Sequence, residues 1–272
     1  MSHEAHVIER YDDTPFTAWF DHYAAGQMHL GYWPPGRQDQ TFAEAVTALT
    51  RLLIGRLDVG EGQRVLDVGC GVFGGTAIEL AAATGCEVDG ITLEPSAASL
   101  VPERAAAAGV ADTVRVHVGN ATTLPFPDDS FDAAWLVESL IHVPDKEPVL
   151  GEIRRVLRSG ARIVIADFPA GERFSPEVGW VTDNHFVPVS ADELEGMLEG
   201  AGFTDVAWED HNDTVAVPSF QRMLDEALAR PDETKAVVGE DAYELFANLV
   251  PDGITAHREG VLSYGVFTAR TS

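Results

Sequence analysis

The run Asp67-Val68-Gly69-Cys70-Gly71-Val72-Phe73-Gly74-Gly75 sets a carboxylate just ahead of a cluster of glycines. Glycines in such a turn let backbone approach a ligand closely, and a helix that follows offers its positive end and free N–H groups. The spacing Gly69-x-Gly71-x-x-Gly74, with Glu94 twenty residues past Gly74, also matches the dinucleotide fingerprint, in which an acid binds a ribose. Asp67 points elsewhere. A carboxylate beside the glycines repels a pyrophosphate and attracts an α-ammonium group, which suits a ligand that joins an amino acid to a sulfonium: S-adenosylmethionine.

A second group of residues could handle the proton that such chemistry leaves over. Displacement at a sulfonium carbon releases a neutral leaving group, so positioning supplies much of the rate, and a hydroxyl nucleophile then needs a base. Histidine is the side chain whose ordinary pKa suits that task near neutrality. His142 and Asp167 each follow or close a short apolar β-branched run, with Glu138 four residues ahead of His142. Metal-ligand spacing is absent around His211, Asp210 and Asp213, and Asp183-Asn184-His185 reads as a solvated loop, so no metal is expected.

The elements that must carry these residues alternate. Thr41 and Glu44 form a capping box ahead of Phe42, Ala45, Val46, Leu49, Leu52, Leu53 and Leu57 at helical spacing. Short β-branched runs predict strands over 64–68, 87–92, 114–118, 131–137 and 161–168, with helices over 74–84, 96–108 and 146–157 between them. That alternation implies a parallel sheet covered on both faces, with ligands at the carboxyl ends of its strands. His142 and Asp167 then end adjacent strands and face one pocket, His142 as base and Asp167 as orienter or second base. Further on, Ser190 and Glu193 cap a helix that Gly202 ends, strands are predicted over 203–208 and 261–269, and two or three helices over 216–259. Residues 1–40 are aromatic and irregular, short helices and a loop laid over the rest as a lid. Residues 41–169 are expected to bind the cofactor, and 170–272 to cap the acceptor and complete the sheet.

Composition narrows the partners. With 18 basic and 44 acidic side chains the formal charge is −26, which disfavours nucleic acid and favours neutral or cationic small molecules. Two cysteines make no disulfide framework, and neither a signal-peptide pattern nor a long uncharged apolar run is present. A cytoplasmic protein that binds no membrane is expected, with a homo-oligomer left open.

His29-Leu30-Gly31-Tyr32-Trp33, the turn over 65–75, Gly90-Ile91-Thr92-Leu93-Glu94-Pro95, Leu124-Pro125-Phe126-Pro127-Asp128-Asp129-Ser130-Phe131-Asp132, Glu138-Ser139-Leu140-Ile141-His142-Val143-Pro144-Asp145 and Arg154-Arg155-Val156-Leu157-Arg158 stand in order along the chain. In these blocks the sequence resembles the class I S-adenosylmethionine-dependent methyltransferases, specifically the bacterial natural-product group of sugar O-methyltransferases and C-methylating relatives. The resemblance implies an α/β, Rossmann-like, seven-stranded and mostly parallel sheet with helices on both faces, a mainly helical N-terminal lid and a cap inserted after strand five. It implies cofactor contacts from Asp67, Gly69, Gly71, Thr92, Glu94, Asn120, Ala121 and Glu138, with S-adenosylhomocysteine as product. It also implies that His142 and Asp167 deprotonate an acceptor hydroxyl. Three positions depart from the family: Phe73 stands at its third glycine, Asn120 where Asp is common, and Thr92 where an acid is usual. Three other activities stay open at this level: methylation of carbon, a non-methylating cyclase of the same fold, and a dehydrogenase that uses the glycine turn for NAD. The aromatics Phe16, Trp19, Phe20, Trp33, Phe168, Phe174, Trp180 and Phe186 suit an apolar acceptor, although most are expected in the core.

Overall fold

The computed structural model describes residues 2–12, 14–177, 181 and 184–272. Trp180 and Asp183 lie outside the described residues.

Seven strands form one sheet in the order β3-β2-β1-β4-β5-β7-β6, all parallel from β3 to β5, with β7 antiparallel to both β5 and β6. In chain order the strands are β1 (Arg64–Val68), β2 (Glu87–Thr92), β3 (Val114–Val118), β4 (Phe131–Val137), β5 (Leu157–Asp167), β6 (Phe203–Asp210) and β7 (Gly265–Thr271). Successive side chains of a strand enter opposite apolar layers: Val65, Trp135 and Val164 join one, Leu66, Leu136 and Ile165 the other. Helices α3 (Phe42–Leu57), α4 (Gly75–Thr84) and α5 (Ala97–Ala107) cover the first face. Helices α6 (Lys146–Val156) and α7 (Ala191–Gly200) cover the second. Burial on both faces is why residues 133–137 and 163–166 form unbroken apolar runs, whereas β3 at the sheet's edge alternates Val with Arg115 and His117.

Three further helices, α8 (Val217–Ala229), α9 (Pro231–Val238) and α10 (Glu240–Arg258), lie between β6 and β7. They stand over the sheet's carboxyl edge beside α1 (His3–Tyr11) and α2 (Pro15–Ala24). The capping boxes at Thr41 and Ser190 form as the sequence predicts. The last strand differs: Val261–Tyr264 belongs to the connection, where Ser263 N donates to Pro169 O and Leu262 bridges to Ala170, and pairing begins only at Gly265. β5 also begins earlier than predicted, and α4 starts after Gly74, whose φ of +60° makes it the helix cap.

Candidate active site

The carboxyl ends of β1, β2 and β4 are drawn together by the backbone. Gly69 N and Cys70 N both donate to Ile91 O, at 2.8 and 3.2 Å, and Ser139 Oγ donates to Val68 O at 2.7 Å. Gly69 has φ +80°, and a Cβ there would stand 2.4 Å from Ser139 Cβ, so only glycine fits that approach. A cavity of about 320 Å³ opens above this edge.

Of the residues expected to hold the cofactor, Gly69, Gly71, Thr92, Glu94, Asn120, Ala121 and Glu138 line this cavity. Asp67 does not. It is 1% exposed and lies behind the turn, where Oδ2 accepts from the Thr76 hydroxyl at 2.9 Å and Oδ1 is buried without a hydrogen-bond partner. The Thr76 hydroxyl's residue, not Asp67, forms the wall, so the expected direct contact of Asp67 becomes one made from the layer beneath. Asn120 also differs from expectation: its Oδ1 accepts from Thr122 N and Oγ1, at 2.9 and 2.8 Å, and its Nδ2 donates to Glu4. The carboxamide oxygen expected for an adenine amine is thus engaged in its own turn. Phe73 turns away from the cavity into the core, with the Arg104 guanidinium 4.1 Å from its ring centroid, and Gly75 packs where a Cβ would be 2.5 Å from Gly26 O. Gly69 and Gly71 therefore face the ligand space while Gly74 and Gly75 serve packing. His29 is 1% exposed, with Nε2 3.0 Å from Thr50 Oγ1 and Nδ1 on Leu30 O at 2.7 Å, so it is a core element of the wall rather than a surface residue.

A second, smaller cavity of about 90 Å³ adjoins the first and is lined largely by apolar side chains, including Phe16, Phe20, Phe168, Phe186, Phe220 and Phe246. Trp19, Trp33 and Phe174 line neither cavity. Tyr11, Met28, Glu138 and His142 belong to both walls. The Tyr11 hydroxyl lies 3.1 Å from His142 Nε2.

His142 ends a single 3-10 turn, Leu140–His142, that is fastened on three sides. Ile141 N donates to Asp167 Oδ2 at 3.0 Å, Val187 N donates to Ile141 O at 2.8 Å, and Lys146 Nζ bridges Val143 O and Val187 O at 2.8 and 2.7 Å. Asp167 also accepts from Phe168 N at 2.8 Å and lines neither cavity. It orients His142 through the backbone of that turn and is not placed as a second base. Lys146, which sequence reasoning passed over, does the same from the other side. Burial, and then the Arg10 charge, hold the His142 imidazole down at about 3, so it is neutral and able to accept a proton.

Glu138 is the most strained residue of the site. Its φ is +53°, unusual for a residue other than glycine, and Oε1 accepts from Leu30 N and the Tyr264 hydroxyl, each at 2.9 Å. Burial raises its carboxyl to about 8, and likewise raises Asp67 and Glu94 to about 7 and Asp167 to about 6. Between pH 6.5 and 8 the unfolded carboxyls are fully ionised while folded Glu138, and in part Asp67 and Glu94, still hold protons, so folding stability must fall as pH rises through that window. Buried His29 and His142, held at about 4 and 3, add stability only as pH rises toward 6.5 and nothing beyond it. Thermal unfolding of the ligand-free protein across pH 6.5–8 is expected to show a falling midpoint, shallower in Glu138→Gln. A flat profile would mean these carboxyls are ionised in the fold.

Sequence reasoning missed the lid's contribution. His3, Glu4 and Val7 of α1 line the larger cavity, Arg10 the smaller, and Tyr11 both. α1 buries no residue fully and is held by polar contacts, His3 Nε2 on His142 O at 2.7 Å among them. Ser96 N donates to Asp12 Oδ1 at 3.0 Å, tying the end of that helix to the start of α5. Among the described residues no His, Cys, Asp and Glu cluster could hold a metal ion, and no helix is long and apolar enough to cross a membrane.

The residues present fit a ligand with an ammonium, a sulfonium and a ribose: glycine backbone at the β1 turn, the Thr76 hydroxyl that Asp67 holds from beneath, and the Glu94 carboxyl at the end of β2. Comparison with known proteins agrees. Residues 66–165 match a family model described as a methyltransferase domain. The chain is 34% identical over 255 residues to the 27-O-demethylrifamycin SV methyltransferase of Amycolatopsis mediterranei, covering 89% of each chain. It is 44% identical over 140 residues to Methyltransferase GfsG of Streptomyces halstedii, a match that spans 52% of this chain and only half of that protein. Among solved structures, the [4+2]-cyclase SpnF superposes with a TM-score of 0.82 at 26% identity, covering 97% of this chain and 94% of that one. Glycine turn, acid-lined strand ends and relatives matched nearly end to end leave one assignment: this chain belongs to the class I S-adenosylmethionine-dependent methyltransferases, and S-adenosylmethionine is its cofactor.

Proposed function

We propose that the enzyme methylates a hydroxyl oxygen of an apolar natural product, with His142 drawing off the proton through Tyr11. The observation that carries this reading is the shared wall: Tyr11 and His142, 3.1 Å apart, border both the cofactor cavity and the aromatic chamber beside it. The relative from Amycolatopsis mediterranei, whose name describes an O-methylation, supports it.

S-adenosylmethionine, when bound, supplies an electrophilic methyl group and departs as neutral S-adenosylhomocysteine. The chain supplies position and a proton path. Gly69 and Gly71 offer backbone without side chains, Glu94 and Thr92 offer oxygen acceptors at the end of β2, and Met28 and Glu138 border the junction of the chambers. Phe16, Phe20, Phe168 and Phe186 exclude water around the acceptor. An oxygen that is gaining a methyl group turns strongly acidic, so even an imidazole held at about 3 can collect its proton, relayed by the Tyr11 hydroxyl. Small-molecule partners, not nucleic acid or membrane, suit the acidic composition, and two buried free cysteines support a cytoplasmic setting.

The test is the identity of the methylated atom. Incubation with cofactor carrying a ¹³C-labelled methyl group and a panel of apolar alcohols and phenols should give products whose labelled carbon shows the NMR signature of a methyl ether. Label on carbon would replace this reading with C-methylation. Acceptor cyclised without label would replace it with a cyclase activity of the kind that the structural relative's name describes.

A further inference from the structure

The aromatic chamber contains one charge that methyl transfer to a neutral alcohol does not use. Arg10, in the last turn of α1, lines the chamber, with its guanidinium 4.9 Å from the Phe16 ring centroid and 5.6 Å from that of Tyr11. Among the described residues it pairs with no carboxylate: Nη2 donates to the neutral Asn184 Oδ1, its other side-chain neighbour is the Tyr11 hydroxyl, and its Nε–H is buried without a partner. In a chain with 44 acidic side chains against 18 basic ones, leaving a half-buried guanidinium without an acid is an expensive arrangement. Helix-end charge alone explains a basic residue at this position, yet it does not explain a guanidinium without a carboxylate partner on a residue that lines a cavity.

We infer that Arg10 receives an anionic oxygen of the acceptor, so that the substrate is an ionisable hydroxyl compound, a phenol or an enol, methylated as its oxyanion. This rests on the reading of the protein as an O-methyltransferase and narrows its substrate class. The bond changes are those of that reaction: the oxygen lone pair forms the O–CH₃ bond, and the electron pair of the broken C–S bond stays on sulfur. The acceptor's proton leaves through Tyr11 to His142, and the charge left on oxygen is met by the guanidinium.

The groups around Arg10 make the two events cooperative. Tyr11, Glu138, His142 and Asn184 border the chamber with Arg10, while His3, His185 and Lys146 add positive charge near His142 only when protonated. After burial, Arg10 is the largest influence that disfavours a proton on His142. An oxyanion on Arg10 offsets that repulsion, while burial, the larger cause of the lowered imidazole, stays. The ether product carries no charge and loses the contact, which favours its release.

4-Nitrophenol, whose anion absorbs in the visible, and neutral 4-nitrobenzyl alcohol are suitable probes for the protein saturated with S-adenosylhomocysteine. The wild type is expected to bind 4-nitrophenolate at least about tenfold more tightly than the alcohol, moving the ionisation midpoint of the bound phenol down by about one pH unit. Arg10→Met should abolish the preference while S-adenosylhomocysteine binding is retained, and Arg10→Lys should restore part of it. Equal affinity for the two probes, no binding of 4-nitrophenol, or an undiminished preference in Arg10→Met would overturn the assignment. Methyl transfer to an aliphatic alcohol at equal rates in wild type and Arg10→Met would sink this inference and leave O-methylation standing. Label recovered only on carbon would sink O-methylation even if the anion preference were found.

Discussion

Replacing His142 by alanine is expected to lower turnover by about a hundredfold or more while the affinity for S-adenosylhomocysteine changes little. The imidazole is neutral, sits against the Tyr11 hydroxyl and borders the chamber where the acceptor must stand. Its turn is held from three sides by Asp167, Val187 and Lys146, so the loss of one ring leaves the backbone in place. Single-turnover measurements at saturating cofactor, with Kd for S-adenosylhomocysteine taken by titration calorimetry, separate chemistry from binding. Tyr11→Phe should fall between wild type and His142→Ala, because it breaks the relay and leaves the base. Turnover within a few-fold of wild type in His142→Ala would remove the base assignment.

Gly69→Ala should cost about 2–4 kcal/mol of stability and weaken cofactor binding by more than about tenfold. Two penalties add: a side chain at φ +80°, and a Cβ 2.4 Å from Ser139 Cβ, which cannot retreat because its hydroxyl is bonded to Val68 O. Gly62 provides the comparison, with the same φ of +80° and nothing within 4 Å of its would-be Cβ. Gly62→Ala should therefore show the backbone penalty alone, about 1 kcal/mol. Urea unfolding of both variants measures the difference. If the two lose equal stability, the close approach of the β1 turn to Ser139 has no energetic weight.

The parts of the fold that were legible in the sequence are those where local pattern and tertiary context agree. Strands β1 to β4 begin and end where the sequence places them. The fourteen residues after Arg258 are harder, because Val261-Leu262-Ser263-Tyr264 alternates like a strand although it is spent on joining Pro169 and Ala170. The candidate site divides in the same way. Glycines, Glu94 and His142 announce themselves by position next to strand ends, whereas Asp67 and Asp167 have the right positions but turn their oxygens to Thr76 and to backbone N–H groups. No local pattern shows where a carboxylate points. Tyr11 and Arg10 were invisible for a different reason: α1 buries no residue fully, and the hydrogen bonds that tie its side chains to His142 and Asn184 reach more than a hundred positions along the chain.

The common partition of Tyr11, Met28, Glu138 and His142 means that donor and acceptor do not have independent pockets. Two ligands that press on one partition influence each other, and by thermodynamic reciprocity each ligand's apparent affinity depends on how fully the other is loaded. Constants measured for one ligand alone will describe a protein that differs from the one doing the work.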